Sequence, residues 1–335
     1  MKIPASTTLA PMEAKSVAAI PVGTHWQYEP KWDGFRCILR REAKTVSMTS
    51  KSGQDLARYF PEVAAAAQRL PELHFILDGE LVIQREEEFS FDALLQRIHP
   101  AASRIKRLAT ETPAQFIVFD LLKRGRVDLA KEHLSERRTA LETFARSFQR
   151  TLFVLSPAST SIKDAKHWLQ SAGGGCDGVI AKRRDLPYQS GNRDGMQKIK
   201  RHRSADCVIG GFRYGENSGA KRKLVGSLLL GLYDAEGLLH HVGFTSGIKS
   251  AEKPALTRRM EAIIADRSFT GSTPGGPSRW SSKRSAEWVP VKPKLGVEIS
   301  YDHFTEGRFR HGTSLLRWRP DKKPSQCTMV QLLEK

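Results

Sequence analysis

One stretch of eight residues, Glu29-Pro30-Lys31-Trp32-Asp33-Gly34-Phe35-Arg36, combines a lysine with a nearby acid, a glycine and an arginine. Lys31 is the candidate nucleophile, because a deprotonated lysine amine can attack phosphorus. From its usual pKa of about 10.4, deprotonation costs about 4 kcal/mol at neutral pH. A metal ion, neighbouring cations or burial against Trp32 would lower that cost. Arg36 is a candidate ligand for a phosphate or ribose oxygen, and Gly34 lets the backbone approach a ligand closely.

The same pattern is also compatible with an ordinary β-strand that carries a surface lysine, since short motifs occur by chance. We predict one strand over residues 28–41, with Lys31 at its end or on the loop before it, and a second strand over residues 45–49. The choice between a structural and a catalytic lysine therefore depends on the rest of the chain.

Length and composition favour a cytoplasmic protein of two domains. A chain of 335 residues is long for a single hydrophobic core. No run of 18 apolar residues predicts a membrane span, and residues 1–4 lack the apolar segment of a secretory signal. The four cysteines are far apart and include no C-x-x-C pair, which argues against a disulfide framework or a zinc site.

The charge is strongly basic and unevenly distributed. The net charge is +18, and Lys plus Arg outnumber Asp plus Glu by 19 to 10 in residues 101–200 and by 23 to 13 in residues 201–335. Such an excess indicates a partner rich in phosphate groups, of which nucleic acid is the leading candidate. An anionic membrane surface is the rival, but the basic residues are spread over strand-like segments and do not lie on one amphipathic helix.

Two regions of different character follow from the hydrophobic pattern. Before residue 203 the pattern alternates between helices and strands, and we predict helices at 59–70, 91–98, 135–148 and 161–172 and a buried strand at 115–122. Residues 73–83 are predicted to be two apolar runs joined by a turn at Asp78-Gly79. After residue 203 we predict a small antiparallel barrel, with strands at 207–214, 224–233, 238–244 and 297–301 and a helix at 251–265. The predicted domains are therefore residues 1–203 and 204–335.

The K-x-D-G-x-R pattern of residues 31–36 resembles the first motif of the covalent nucleotidyltransferases, which include DNA ligases, RNA ligases and mRNA-capping enzymes. Six further segments resemble the other five motifs and the adenine-stacking segment of this superfamily, in the same order. They are Ser50-Lys51-Ser52-Gly53, Leu77-Asp78-Gly79-Glu80-Leu81, residues 115–122, Asp177-Gly178-Val179-Ile180-Ala181-Lys182, Lys198-Ile199-Lys200 and Arg317-Trp318-Arg319-Pro320-Asp321-Lys322.

The chain departs from the usual motifs at three places. Lys51 stands where an arginine is more common, and Asp177 stands where a glutamate is more common. Met196-Gln197 replaces the tryptophan that often precedes the fifth motif. The shorter Asp177 side chain can still be a Mg²⁺ ligand, because Mg²⁺ accepts one or two carboxylates together with water and phosphate oxygens.

The motifs most resemble those of the small bacterial ATP-dependent DNA ligases, the C type and the ligase domain of the D type. The resemblance implies an α+β fold, with an ATP-grasp-like nucleotidyltransferase (adenylation) domain of antiparallel sheets and helices followed by an all-β OB-fold domain. It implies that Lys31 forms a lysyl-AMP intermediate with ATP and that the enzyme seals nicks in duplex DNA during repair.

The resemblance also implies a set of ligands. Glu80 and Asp177 are expected to hold a divalent metal, Mg²⁺ or Mn²⁺, and Phe119 is expected to stack on adenine. The expected nucleotide-binding residues are Glu29, Arg36, Lys51, Glu80, Phe119, Lys198, Lys200 and Arg319.

The expected partner is nicked duplex DNA, with recruitment by a Ku-type end-binding protein, and we expect a monomer associated with the nucleoid and not with a membrane. Two alternatives remain at this point. An RNA ligase or a capping-type guanylyltransferase shares Lys31 and the metal-binding carboxylates. A non-catalytic nucleic-acid-binding protein keeps the basic barrel without needing Lys31.

Overall fold

The structure, a computed structural model, describes residues 9–86, 88–149, 151–172, 175–201, 203–215, 223–275, 287–305, 307–310 and 312–333. The chain forms two compact units, Met1–Arg201 and His202–Lys335. Among the described residues, no helix is both long enough and apolar enough to cross a membrane.

The first unit contains a four-stranded sheet that places Lys31. It is built from β1 (Lys15–Ser16), β2 (Trp26–Trp32), β11 (Cys176–Arg183) and β12 (Met196–Lys200). The order is β1-β12-β11-β2, antiparallel except for the edge pair of β1 and β12. One face packs through Tyr28, Val179 and Ile199 on Ala165 of helix α5 (Ile162–Gln170). Because side chains alternate along a strand, the opposite face carries Glu29, Lys31, Lys182, Lys198 and Lys200.

A six-stranded sheet forms the rest of the framework of this unit. It is built from β3 (Phe35–Glu42), β4 (Thr45–Ser50), β5 (His74–Val82), β8 (Gln115–Arg124), β9 (Val127–Asp128) and β10 (Phe153–Leu155). The order is β10-β8-β5-β3-β4, with β9 paired to β8. A separate hairpin is formed by β6 (Gln84–Arg85) and β7 (Glu88–Phe89).

Helices cover one face of the six-stranded sheet. They are α1 (Pro61–Arg69), α2 (Phe91–Arg97) and α4 (Leu134–Phe144), with 3-10 turns at Leu129–Lys131 and Ala145–Phe148, and α3 (Ala102–Glu111) lies beside α1. Proline at the first turn suits the start of α1, and the Ser90 side chain caps α2 by accepting from the Ala93 amide. Fully buried Leu39, Leu77 and Phe116 form the core against these helices, and the opposite face carries both polar side chains and a second apolar cluster that includes Ile38 and Ile76.

The second unit is a barrel closed by two threonines. Its sheet order is β15-β14-β13-β17-β20 with β16 on β13, where the strands are β13 (Arg203–Tyr214), β14 (Val225–Tyr233), β15 (Leu239–Thr245), β16 (Val289–Pro290), β17 (Gly296–Tyr301) and β20 (Ser314–Trp318). The Thr245 hydroxyl donates to the Thr313 carbonyl at 2.9 Å and the Thr313 amide donates to the Phe244 carbonyl at 3.2 Å, so the edges of β15 and β20 meet. The remaining elements are α6 (Lys253–Glu261), the hairpin β18 (Phe304–Thr305) and β19 (Arg308–Phe309), a 3-10 turn at Pro324–Gln326 and α7 (Val330–Leu333).

Two predictions about local structure are wrong. The single strand predicted over residues 28–41 is two strands, β2 and β3, in different sheets. The chain changes sheet at Gly34, where an added Cβ would lie 2.1 Å from the Leu81 carbonyl oxygen. The turn predicted at Asp78-Gly79 is absent, because both residues lie inside the continuous strand β5. The five predicted helices are confirmed, with ends that differ by a few residues, whereas α3 and α7 are not among the predicted elements.

Candidate active site

Lys31 lies at the end of β2 with its amine against a buried carboxylate. Its Nζ donates to Asp177 Oδ2 at 2.6 Å, and the Asp177 side chain is only 6% exposed. β2 and β11 are antiparallel neighbours in which Lys31 is paired with Gly178. The sheet therefore holds the two side chains together through its backbone, and their contact does not depend on a flexible loop.

A β-bulge aims Asp177 at Lys31. The pairing register of β11 shifts between Cys176 and Gly178, and Asp177 is the extra residue between them. A bulge of this kind redirects a side chain. Gly178 has φ of +150° and would place a Cβ 2.1 Å from the Ile199 carbonyl oxygen, so only glycine fits here.

The carboxylates around Lys31 keep its amine charged. Burial acts to lower the pKa of Lys31, but Asp177 opposes burial, with help from Glu80 and Asp33, and the pKa lies above its ordinary value. A protonated amine is not a nucleophile. The chemistry expected of Lys31 therefore requires that the charge of these carboxylates be balanced by another cation.

Lys198 and Lys200 extend the positive charge along β12. Lys200 Nζ lies 3.8 Å from the same Asp177 oxygen that Lys31 contacts. The pKa of Lys198 is lowered by burial and then by Lys31, Lys200, Lys51 and Arg193. A lysine whose pKa is lowered by other cations marks a concentration of positive charge, which suits a polyphosphate.

Arg36 is held by a buried aspartate on the six-stranded sheet. Its Nε donates to Asp78 Oδ1 at 2.5 Å and its Nη2 donates to Asp78 Oδ2 at 2.6 Å. Asp78 is fully buried, and it outweighs the effect of burial to raise the pKa of Arg36. Two nitrogens of the guanidinium are thus engaged within the protein, and the plane of the group is fixed.

Phe119 lies beneath two cations. The Arg36 Cζ atom is 4.4 Å and the Lys182 Nζ atom 4.5 Å from the centre of its ring. The ring is 7% exposed. The structure thus brings Phe119 together with Arg36 and Lys182 and makes the ring part of a cation–π cluster.

Glu29 and Lys182 form an ion pair on the same face as Lys31. Lys182 Nζ lies 2.7 Å from Glu29 Oε2, and Gln27 Nε2 donates to Glu29 Oε1 at 2.8 Å. All three side chains are buried. The Lys182 contact lacks hydrogen-bond geometry, and its Nζ has no hydrogen-bond partner among the described residues. A buried ammonium with unused donors fits a polar ligand such as a nucleotide.

The carboxylates around Lys31 are of the ligand type that a divalent metal prefers. Asp177 and Glu80 both act electrostatically on Lys31, and carboxylate oxygens are the protein ligands that Mg²⁺ prefers. Burial raises the pKa of Glu80 to about 7, although Arg36 and Lys31 act in the opposite direction. A carboxylate that is costly to ionise gains from a nearby cation.

The structure places Lys51 at the edge of this site. Its Nζ lies 3.1 Å from Glu13 Oε1, and Arg193 Nε lies 2.9 Å from the other oxygen of the same carboxylate. Lys51 and Arg193 are mostly exposed. Lys51 contributes to the lowered pKa of Lys198, so it belongs to the same region of positive charge.

Arg319 belongs to the second unit and is held there by two aspartates. Its Nη1 donates to Asp206 at 2.6 Å and its Nη2 to Asp321 at 2.8 Å. Lys322 Nζ also donates to Asp206, at 2.7 Å. Within this unit Arg319 and Lys322 therefore share one ion-pair cluster around Asp206 of β13.

Three site residues were missed by the sequence reasoning. Asp78 and Lys182 lie inside the third and fourth motifs, but we assigned them no role. Tyr188 lies between the fourth and fifth motifs, and its hydroxyl donates to Asp78 Oδ2 at 2.6 Å. Asp78 and Lys182 could have been selected because they lie within motifs. No sequence pattern indicates a role for Tyr188.

The comparison with known families decides the identity. Residues 11–200 match the family described as "ATP dependent DNA ligase domain". Residues 221–322 match the one described as "ATP dependent DNA ligase C terminal region". The chain belongs to the ATP-dependent DNA ligases. Enzymes of this family use ATP and seal nicks through a lysyl-AMP intermediate.

Curated relatives agree over nearly the full length of this ligase. It is 43% identical to DNA ligase C2 of Mycolicibacterium smegmatis over 99% of this chain and 96% of the relative. It is 39% identical to DNA ligase C of Mycobacterium tuberculosis, with the same coverage. A third relative, the multifunctional non-homologous end joining DNA repair protein of M. tuberculosis, is 33% identical over 95% of this chain, which spans 39% of that protein.

Solved structures confirm the fold class of the ligase. The structure of mycobacterial DNA ligase D complexed with ATP and MES is 29% identical, with a TM-score of 0.50 over 96% of this chain and 98% of that one. A Lig E DNA ligase, 17% identical, gives a TM-score of 0.57 over 92% of this chain and 99% of that one, and supports the fold alone. The predicted nucleotidyltransferase domain and C-terminal OB-fold domain are thereby confirmed as the fold class.

Proposed function

We propose that Lys31 is the residue of this ligase that carries AMP, and that the face of the sheet around it is the nucleotide site. The observation that supports the proposal is the contact of Lys31 with Asp177 at 2.6 Å, beside Lys200, on backbone positions fixed by a bulge. An amine held between a metal-binding carboxylate and a polyphosphate-binding cation has the surroundings that phosphoryl transfer requires.

The reaction would proceed in three displacements. The neutral Lys31 amine attacks the α-phosphorus of ATP, a P–N bond forms, the bond to pyrophosphate breaks, and the amine loses a proton. A 5′-phosphate oxygen at the nick then attacks the phosphorus of lysyl-AMP and frees Lys31. The 3′-hydroxyl finally attacks the 5′-phosphate, forms the phosphodiester bond and releases AMP.

The remaining residues divide between base, sugar and phosphates. Phe119 stacks on adenine, where base–aromatic contacts are worth roughly 1–3 kcal/mol. Lys198, Lys200 and Lys51 bind phosphates as point charges. Glu29, Arg36 and Glu80 contact the nucleoside. Glu80 and Asp177 hold Mg²⁺ or Mn²⁺, which neutralises charge that develops on phosphate oxygens.

The second unit supplies Arg319 and much of the DNA-binding charge. We assign residues 1–203 to the nucleotidyltransferase domain and residues 204–335 to the OB-fold domain. Arg319 assists the first displacement by orienting the departing pyrophosphate. The excess of basic residues in 201–335 favours nicked duplex DNA as the substrate, bound with strong salt dependence. The end-joining relative favours a role in DNA repair, with recruitment of a monomer by a Ku-type end-binding protein.

The test is covalent labelling with ATP that carries the label on its α-phosphate. The protein is incubated with labelled ATP and Mg²⁺ and then run on a denaturing gel. Wild type and Lys15→Ala should be labelled equally, because Lys15 is an exposed lysine of the same sheet. Lys31→Ala should not be labelled. A folded Lys31→Ala protein that still becomes labelled would move the nucleophile to another residue.

A further inference from the structure

Asp78 links Tyr188, a residue outside the six motifs, to Arg36 of the proposed nucleotide site. Its two carboxylate oxygens accept two hydrogen bonds from Arg36 and a third from the Tyr188 hydroxyl. Asp78 is fully buried. A buried carboxylate is stable only if its oxygens are paired, so the orientation of this group depends on both donors.

The Tyr188 hydroxyl is fixed from the other side by the N-terminal segment. The Met12 amide donates to it at 2.7 Å, which leaves the hydroxyl proton for Asp78. Tyr188 itself is 8% exposed. The segment around Met12 is tied to the same loop, since the Glu13 amide donates to the Asn192 carbonyl at 2.8 Å and the Ala10 amide donates to Ser190 Oγ at 3.0 Å.

The chain of contacts continues to the base pocket. Arg36, fixed by Asp78, lies over the Phe119 ring, and Arg36, Lys182 and Tyr188 line one cavity. The guanidinium is planar, so the orientation of Asp78 sets the plane of the Arg36 group. The contacts thus run from Met12 to Tyr188, Asp78 and Arg36.

We propose that Tyr188 is a positioning residue for nucleotide binding, which acts by holding Asp78 so that Asp78 holds Arg36 over Phe119. The proposal rests on the proposed contact of Arg36 with the nucleotide. Tyr188 itself does not touch the reacting atoms. Without its hydroxyl, Asp78 keeps only Arg36 as a side-chain donor in these contacts, and the pair can change its orientation together.

The first experiment compares two tyrosines that each lose one hydroxyl. Tyr188→Phe removes the donor to Asp78. Tyr28→Phe is the matched control, because Tyr28 is also a buried tyrosine of the same unit but donates to the Pro21 carbonyl at 2.8 Å. Lys31 charging is measured against ATP concentration. Tyr188→Phe should raise the half-saturating ATP concentration by about tenfold, as expected for one hydrogen bond to a charged group, and change the rate at saturating ATP by less than about twofold.

The melting temperature separates positioning from simple destabilisation. Both variants should melt at slightly lower temperatures, because each loses a buried hydrogen bond. The proposal is overturned if Tyr28→Phe raises the half-saturating ATP concentration as much as Tyr188→Phe, or if neither variant raises it.

A double-mutant cycle with Arg36→Lys tests whether Tyr188 acts through Asp78 and Arg36. Arg36→Lys removes the fork that Asp78 grips. If Tyr188 acts through Asp78 and Arg36, the effect of Tyr188→Phe on ATP dependence should fall below about twofold in the Arg36→Lys background. If the effects of the two substitutions on the half-saturating ATP concentration were fully additive, Tyr188 would not act through Arg36, while the role of Arg36 itself would stand. No effect of Arg36→Lys by itself would overturn both the nucleotide role of Arg36 and the inference built on it.

Discussion

Lys31 in the first unit and His241 in the second unit are both basic side chains surrounded by protein, yet their pKa values shift in opposite directions. Lys31 contacts Asp177, and its pKa is raised despite burial. His241 is 7% exposed, and its pKa is lowered to about 3 by burial, with further effects from Arg308 and Arg213. Neighbouring charge, and not burial alone, decides which basic group carries a proton.

The comparison shows how the two units use charge. The first unit surrounds the Lys31 amine with carboxylates that raise its pKa, so an external cation is needed for the amine to lose its proton. The second unit places a neutral imidazole among arginines. Arg308 Nη2 lies 3.1 Å from His241 Nδ1, so Nδ1 accepts and Nε2 must carry the proton. That nitrogen is buried without a hydrogen-bond partner among the described residues. Loss of Asp177 should therefore lower the pKa of Lys31, whereas loss of Arg308 should raise the pKa of His241.

The largest effect is expected from Asp177→Asn, which takes the charged partner from Lys31. The rate of Lys31 charging with ATP should fall on the order of a hundredfold, because the charge that positions both the amine and the metal is lost. The surviving activity should have its pH profile moved to lower pH. Asp177 raises the pKa of Lys31, so its removal lets the amine lose its proton at a lower pH.

The control is Asp164→Asn on α5, which changes the same residue type in the same unit and removes the charge of the carboxylate that accepts from the Ser159 hydroxyl. It should alter neither the rate nor the pH profile of charging. If the profile of Asp177→Asn kept the wild-type midpoint, the assignment of Asp177 as the group that controls the Lys31 proton would be wrong.

A smaller effect is expected from Arg319→Ala, which tests a cation whose partners are more exposed. Asp206 is 13% and Asp321 59% exposed, so Arg319 can exchange them for phosphate more easily than Lys31 can exchange Asp177. Charging with ATP should fall at least about tenfold. Sealing of a nick that already carries AMP, assayed without ATP, should stay near normal.

Arg317→Ala is the matched control for Arg319→Ala. Arg317 is an arginine of the same segment that pairs with Glu298 at 2.6 Å and is 63% exposed. Its loss should leave charging unchanged, since exposed pairs contribute little. Equal losses of charging and of sealing in Arg319→Ala would indicate a defect in DNA binding or folding. A loss of charging in Arg317→Ala would show that the effect is not specific to Arg319.

The motifs predicted which residues would meet, because their order follows the strands of the fold. Lys31, Asp177 and Lys200 lie on three neighbouring strands of one sheet. Their places in the first, fourth and fifth motifs were enough to select them. The periodicity also predicted five of the helices and the barrel. These features depend on local sequence, which pattern reasoning can use.

The remaining features depend on contacts between distant segments. No local pattern distinguishes a turn at Asp78-Gly79 from a continuous strand, because the outcome depends on pairing with both β3 and β8. The break at Gly34 follows from the approach of the Leu81 carbonyl. Tyr188 is separated from Asp78 by 110 residues. Such contacts are set by tertiary packing, which overrides local preference.

The smallest effect is expected from acid, through His241. An unfolded histidine binds a proton below about pH 6.5, whereas folded His241 does so only near pH 3. Between these values the unfolded state binds more protons, so folding stability rises with pH and is lost as the pH falls. At pH 5 the loss from this one group should be about 2 kcal/mol relative to pH 8.

His241→Gln should remove this dependence, because glutamine does not titrate. The free energy of unfolding is measured by urea denaturation at pH 8 and pH 5 for both proteins, and the change between the two pH values is compared within each protein. That comparison cancels any constant cost of the substitution. Wild type should lose about 2 kcal/mol more than the variant. If the two proteins lost the same amount, His241 would already carry its proton at pH 5 beside the arginines, and the contrast with Lys31 would not hold.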